Sequence, residues 1–262
     1  MKTFRQALAE KKFLLGTFLQ IPAADSAEIA GHAGMDFGIV DTEHGTFGAD
    51  SAIDLVRGCD TAGMASVFRV PRLDHHRIGQ ALDFGASAVM VPNLTSRAQA
   101  EQVIKAAKFH PLGQRGVCPF TRCGGFNAAD EDPDFYSRAN RDTCVILQIE
   151  GVEGISNLDQ ILEVDHLDGI FIGPFDLSQS LGIPGKVTDD RVLEAIRGIV
   201  QRADARSVAV GNFAVTLDQA RAYRDIGVRF VAYGVDTLML HRAYRDLRRA
   251  LLAEVAAVEA GA

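Results

Sequence analysis

The chain has 262 residues, of which 47% are hydrophobic and 23% charged, a balance that supports one sizeable core of the kind single α/β barrels build at this length. Its formal net charge of −7 argues against a nucleic-acid partner, because neutralising phosphates needs a basic surface. The chain lacks a run of about 20 apolar residues, so no membrane span is expected; the N-terminal MKTFRQALAEKKFLLG lacks a signal-peptide core, and a cytoplasmic location is the expectation.

Eight short apolar runs recur along the chain. They are FLLGTFL (13–19), FGIV (37–40), ASVFRV (65–70), SAVMVP (87–92), CVILQI (144–149), GIFIGP (169–174), VAVGNFAV (208–215) and FVAYGV (230–235). Between them lie stretches with apolar residues at helical spacing, such as SAIDLVRGCDTAG and TSRAQAEQVIKAAKF. Gly34, Gly63, Gly85 and Gly227 stand where a left-handed helix C-cap is expected before the next run. Near-continuous apolar strands alternating with amphipathic helices predict a parallel sheet covered by helices. Eight such units predict a single closed (β/α)8 TIM barrel over residues 1–262, rather than an open dinucleotide-binding sheet, since no G-x-G-x-x-G follows the first run. Residues 110–143 break the rhythm, and a loop that long in a compact domain is usually functional. The four cysteines, Cys59, Cys118, Cys123 and Cys144, have no metal-ligand spacing and read as reduced thiols.

A barrel enzyme works at the C-terminal ends of its strands, so the residues that follow each run carry the chemistry. The second run ends in Asp41, Glu43 and His44, and the third embeds Arg69 among apolar neighbours. The fifth delivers Gln148 and Glu150, two apart and therefore on one face, and the sixth leads to Asp176. Taken singly, Asp176 reads equally as a helix N-cap, Arg69 as half of a structural ion pair and Gln148 as a core hydrogen-bonder. Together, Glu150 and Asp176 offer hard oxygen ligands for Mg²⁺, Mn²⁺ or Co²⁺. A 2-keto acid chelates such an ion, with arginine to stabilise an enolate and a carboxylate-supported histidine as the base. None of the six lysines (Lys2, Lys11, Lys12, Lys105, Lys108, Lys186) lies in or just after a run, which disfavours Schiff-base aldol chemistry, and no glycine-rich phosphate cradle follows the last two runs.

VDTEHG, FRVP, VMVPN, RGV, LQIE, GIFIGPFDLSQSLG and FVAYGVDT, in that order, resemble the HpcH/HpaI family of class II pyruvate aldolases over about residues 13 to 240. The resemblance implies Glu150 and Asp176 as metal ligands, Arg69 as enolate stabiliser, Gln148 as a keto-acid binder and His44 as the acid/base group. It also implies that backbone around Gly173, Phe175 and Asp176 holds the pyruvate carboxylate. Two carboxylates compete to support His44: Asp41 by its closeness, and Asp83 in ALDFG by the family pattern. Asp83 sits late in a helix, so it serves only if that helix is irregular or a neighbouring subunit supplies it. Thr42 replaces the usual glycine of the family's DGEH, and Phe175 replaces the small residue of its GPAD or GPSD, which bears on acceptor size. The segment 110–143 is expected to shape the acceptor pocket, with Arg115 tying it down and Arg122 either meeting the acceptor or forming a surface ion pair. The stretch TLMLHRAYRDLRRALLAEVAAVEA reads as a final amphipathic helix, which the resemblance packs against a neighbour in a homo-oligomer, often a hexamer. The expected activity is metal-dependent, reversible cleavage of a 4-hydroxy-2-keto acid to pyruvate, or hydroxypyruvate, and an aldehyde. Oxaloacetate decarboxylase, acyl-CoA lyase and, last, a non-enzymatic binding barrel are the alternatives.

Overall fold

The computed structural model describes residues 3–10 and 13–260. Eight parallel strands close a barrel in chain order: β1 Leu14–Leu19, β2 Phe37–Asp41, β3 Ala65–Arg69, β4 Ala88–Val91, β5 Cys144–Ile149, β6 Gly169–Ile172, β7 Ala209–Ala214 and β8 Phe230–Val235, which pairs back with β1. Before β1 comes α1, Phe4–Glu10; the layer outside the barrel begins with α2 Ala24–His32, α3 Ala49–Thr61, α4 His75–Asp83 and α5 Arg97–Ala107. After α6 Ala128–Glu131 and α7 Phe135–Asp142 come α8 Val152–Ser156, α9 Leu158–Leu162, α10 Pro174–Ser180, α11 Asp190–Asp204, α12 Leu217–Ile226 and α13 Asp236–Ala260. The chain is therefore the expected TIM barrel.

The strands are buried on both faces, which is why they read as unbroken apolar runs. Residues of one parity fill the barrel: Phe37 and Ile39 on β2, Ala65 and Val67 on β3, Cys144 and Ile146 on β5. Those of the other parity, such as Val40, Phe68, Leu147 and Ile149, pack under the helices. Gly211 makes room for the fully buried ring of Phe230, which a Cβ would meet at 2.1 Å. The helix-closing role expected of Gly34, Gly63, Gly85 and Gly227 holds, with φ of 94°, 69°, 90° and 108°.

Helix α1 was not foreseen. It plugs the N-terminal mouth of the barrel with Phe4, whose ring stands edge-on to Phe37 at 5.4 Å and to Phe230 at 5.3 Å. The sixth run also ends earlier than its apolar character implied. Gly173 is the N-cap of α10 and Pro174 its first residue, since a proline ring fixes φ and has no N–H to give a strand.

The segment 110–143 folds as a 3₁₀ turn, Arg122–Gly124, followed by α6 and α7 over a small apolar cluster of Phe109, Ala128 and Phe135. It does not shape the rim of this chain's own barrel. It follows α5, which has already carried the chain back to the N-terminal mouth, and it re-enters there at β5. Arg115 does tie it down, its guanidinium donating to Asp83 Oδ1 at 2.6 Å and lying 4.5 Å over the Phe109 ring. All four cysteines are free thiols, and burial pushes those of Cys59 and Cys144 up to about 12. Among the described residues no helix is long and apolar enough to cross a membrane. Of the lysines, Lys2, Lys11 and Lys12 lie outside the described residues. Lys108 is buried, its Nζ donating to the carbonyls of Asn140 and Thr143 at 2.8 and 2.6 Å.

Candidate active site

The alternation that puts Phe37 and Ile39 inside the barrel puts Asp41 inside at the C-terminal end of β2. The same parity on β3 delivers Arg69, and Asp41 and Arg69 are Cα partners in register. Their side chains form a two-pronged pair, Arg69 Nε to Asp41 Oδ1 at 2.9 Å and Nη2 to Oδ2 at 2.8 Å. Asp41 is fully buried, yet it is saturated with donors: Gln20 Nε2 at 2.7 Å and the backbone N–H groups of Glu43 and His44 at 3.1 and 3.2 Å. Burial pushes its carboxyl up, but the hydrogen bond and charge of Arg69, with Gln20 and the turn amides, outweigh that and hold it below the ordinary aspartate value.

The other edge of Arg69 meets Glu43, Nη1 to Oε2 at 2.8 Å, and its face lies 4.7 Å from the Phe18 ring centroid. Two carboxylates and an aromatic face thus fix one guanidinium above the barrel core. The Glu43 contact is one of charge, because Oε2 has no aligned hydrogen-bond partner among the described residues. Burial raises the Glu43 carboxyl, against the pull of Arg69 and His44 and with the repulsion of Asp41 and Asp176.

From β5, Gln148 reaches the rim one residue pair above Ile146, and its Nε2 donates to Glu150 Oε2 at 2.5 Å. Its Oε1 is buried and has no hydrogen-bond partner among the described residues. Burial raises the Glu150 carboxyl; the Gln148 hydrogen bond opposes this, while Asp176 and Glu43 add like-charge repulsion. Gly173 closes this corner, since a Cβ there would meet Glu150 Oε2 at 2.5 Å and Gln148 Nε2 at 3.4 Å. Asp176 lies in the first turn of α10 rather than at its cap.

A cavity of about 240 Å³ opens beside these groups, and Gln20, His44, Arg69, Gln148, Gly173 and Asp176 are among its lining residues. No three His, Cys, Asp or Glu side chains among the described residues form a metal cluster. The donor set nonetheless fits a hard divalent cation. Glu150 and Asp176 repel each other in a partly desolvated corner with Glu43 beside them, and the orphaned Gln148 oxygen looks for a positive partner. Held by two protein carboxylates alone, such an ion would keep positions open for other oxygen ligands.

Of the residues expected at the site, the fold brings together His44, Arg69, Asp41, Gln148, Glu150, Gly173, Phe175 and Asp176. It does not bring Asp83 or Arg122 to them. Asp83 ends α4 at the N-terminal mouth in its pair with Arg115, and Arg122 is held there by Asp60 Oδ2 at 2.5 Å and the Phe84 carbonyl at 3.0 Å. Nor does the Asp41 carboxylate face the imidazole, because it is spent on Arg69, Gln20 and the turn amides. The carboxylate nearest the His44 ring is Glu43, Oε2 to Nε2 at 4.0 Å, and the ring itself is well exposed. Gln20, Phe18, Phe213 and Val235 also line or support the cavity and were not anticipated. The alternation that points Phe18 inward points Gln20 the same way, so a period-2 reading carried one residue past the first run finds both.

The sequence profile of the HpcH/HpaI aldolase/citrate lyase family matches residues 14–243. The chain is 37% identical over 246 residues to a hydroxypyruvate/pyruvate aldolase of Deinococcus radiodurans, an alignment covering 94% of this chain and 88% of that one. It is 36% identical over 248 residues to a 4-hydroxy-2-oxovalerate aldolase of Rhodococcus jostii, covering 92% of each. The fold superposes with a TM-score of 0.89 on the crystal structure of an HpcH/HpaI aldolase/citrate lyase family protein from Burkholderia cenocepacia, at 29% identity and covering 96% of this chain and 99% of that one.

Proposed function

We propose, from the premise that this chain belongs to the HpcH/HpaI aldolase/citrate lyase family, that it is a carbon–carbon lyase that reversibly cleaves a 4-hydroxy-2-keto acid to pyruvate or hydroxypyruvate and an aldehyde. The observation that carries the reading is Arg69. It is buried, held on two edges by Asp41 and Glu43, and presented to a cavity that also holds Gln148, His44 and Asp176.

A divalent metal held by Glu150 and Asp176 would supply Lewis acidity at the keto oxygen of the substrate. Arg69 stabilises the negative charge that develops on that oxygen, and its rigid pairing means little reorganisation at the moment of reaction. Gln148 orients the keto acid, and the first-turn amides at Phe175 and Asp176 take its carboxylate. His44 removes the C4 hydroxyl proton. The C3–C4 bond then breaks, its electron pair passing to C3 as the enolate while C4 leaves as the aldehyde, and protonation at C3 gives pyruvate.

Glu43 supports the His44 imidazole within this chain, and Asp83 reaches it only from a second copy. The face of α13 favours such an assembly, since Leu240, Tyr244, Leu247 and Leu251 leave an apolar stripe exposed at helical spacing. A homo-oligomer, with a hexamer as the expected state, and a cytoplasmic location complete the reading. The test is pyruvate release from 4-hydroxy-2-oxovalerate and its longer homologues, followed by coupled lactate dehydrogenase with Mg²⁺, Mn²⁺ or Co²⁺ and with chelator. Metal-dependent release supports the reading, and no release from any 4-hydroxy-2-keto acid contradicts it.

A further inference from the structure

The lining of the cavity combines two chemistries. Besides His44, Arg69, Gln148 and Asp176 the cavity is lined by Phe18, Phe171, Phe175, Phe213 and Val235. The rings form a connected wall: Phe18 stands edge-on to Phe213 at 5.4 Å and to Phe171 at 6.0 Å, and Phe213 meets Phe175 at 6.1 Å. At the outer end of this wall Phe175 is 43% exposed, a large ring left toward solvent at the lip of the cavity. At the inner end Phe18 is spent under the Arg69 guanidinium.

The charges point the same way. Among the described residues Arg69 is the sole lysine or arginine lining the cavity, and both of its edges are taken by Asp41 and Glu43. Glu43, Glu150 and Asp176, at or beside the cavity, add negative charge. Within this chain Arg122 and Arg115 lie at the far mouth of the barrel, and each is already paired with a carboxylate, Asp60 and Asp83. Beyond the keto-acid site, a second carboxylate on the acceptor would meet rings and like charge, with no free cation among the described lining residues to receive it.

We propose that the acceptor side of this cavity selects an uncharged aldehyde with an apolar chain, and that Phe175 sets that selectivity. The inference rests on the aldolase reading above. In the synthetic direction C3 of the enolate bonds to the aldehyde carbon, and the resulting alkoxide takes a proton. The acceptor's chain projects from that new bond along Phe213 to Phe175, which removes apolar surface from water only if the chain itself is apolar.

The experiment compares two acceptors of the same shape in the full-length enzyme with pyruvate and Mg²⁺. These are 4-methylpentanal and succinic semialdehyde, in which a carboxylate replaces the isopropyl group. The expected ratio of kcat/KM is at least about tenfold in favour of 4-methylpentanal, the discrimination that a single methylene in a hydrophobic pocket gives at the low end. Phe175→Ala should bring the ratio toward unity, and Phe175→Leu should retain most of it. Equal or better use of succinic semialdehyde by the unaltered enzyme overturns the inference, and so does a ratio that Phe175→Ala leaves unchanged. Deuterium exchange at the pyruvate methyl group, measured without any aldehyde, separates the two levels. Exchange with the wrong acceptor preference overturns this inference alone; no exchange with pyruvate or hydroxypyruvate overturns the aldolase reading and this inference with it.

Discussion

Replacing Asp41 by asparagine keeps the shape of the side chain and removes its charge. The new side chain would still accept from the backbone N–H groups of Glu43 and His44 through its amide oxygen. Its amide nitrogen, however, would face two donors, Gln20 Nε2 and Arg69 Nη2, now 2.7 and 2.8 Å from Asp41 Oδ2. Breaking a buried ion pair at one partner costs about 3–5 kcal/mol. Arg69 keeps Glu43 and one hydrogen bond, so about 2–4 kcal/mol is the expected loss here, or about 5–15 °C in Tm for a domain of this size. The sign of the pH dependence follows from the direction of the shift. Asp41 titrates below its ordinary 3.8 in the folded protein, so its contribution is fully present above that value. It is lost as pH falls through the lower, folded-state value. Thermal melts of both proteins from neutral to acid pH should therefore differ most at neutral pH and converge in acid. Because Arg69 would also lose its fixed position, enolate formation should fall on the order of 10²-fold. A Tm within about 1 °C of the parent at neutral pH would refute the view that Asp41 fixes Arg69, whatever happens to activity.

Gly173→Ala places a Cβ within 2.5 Å of Glu150 Oε2, so Glu150 must move. Mn²⁺ affinity measured by electron paramagnetic resonance should weaken roughly 10–100-fold, and unchanged affinity would contradict Glu150 as a ligand. Gly211→Ala drives a Cβ into the buried Phe230 ring, 2.1 Å away, and overpacking of this kind costs about 1–3 kcal/mol or more, read as a lowered urea midpoint. A thiol titration of the native protein should label the exposed Cys118 first, leaving buried Cys59 and Cys144 to react only on unfolding, where their thiols are no longer pushed up to about 12.

The strands were legible because a parallel barrel buries both faces of each one, which leaves an apolar run with no polar alternation to confuse it. The glycines that end α2, α3, α4 and α12 were legible for a steric reason, since left-handed φ excludes most other residues. At the site, the polar residues announced themselves by interrupting those runs at their C-terminal ends. Helix α1 was hidden because seven residues carry too little periodicity, and its importance lies in one ring, Phe4, wedged among distant partners. The roles of Asp41 and Glu43 could not be told apart along the chain. Only the register that sets Asp41 opposite Arg69, and the turn that swings Glu43 over the other guanidinium edge, assigns them. Segment 110–143 was placed at the wrong end because it follows a helix, and each helix of such a barrel returns the chain to the mouth away from the chemistry. Arg122 lies there in an ion pair with Asp60, the alternative the sequence offered, and Asp83 ends α4 at that mouth as a residue late in a helix should, paired with Arg115.

The central claim is that Arg69, held by Asp41 and Glu43, stabilises the enolate of a keto acid bound beside Glu150 and Asp176. It is tested most directly by proton NMR of pyruvate in D₂O, following loss of the methyl signal with enzyme and Mg²⁺, then with chelator, then with Arg69→Ala. The account predicts metal-dependent exchange that Arg69→Ala abolishes while circular dichroism shows the barrel intact. Exchange that persists at the parent rate in Arg69→Ala would contradict it.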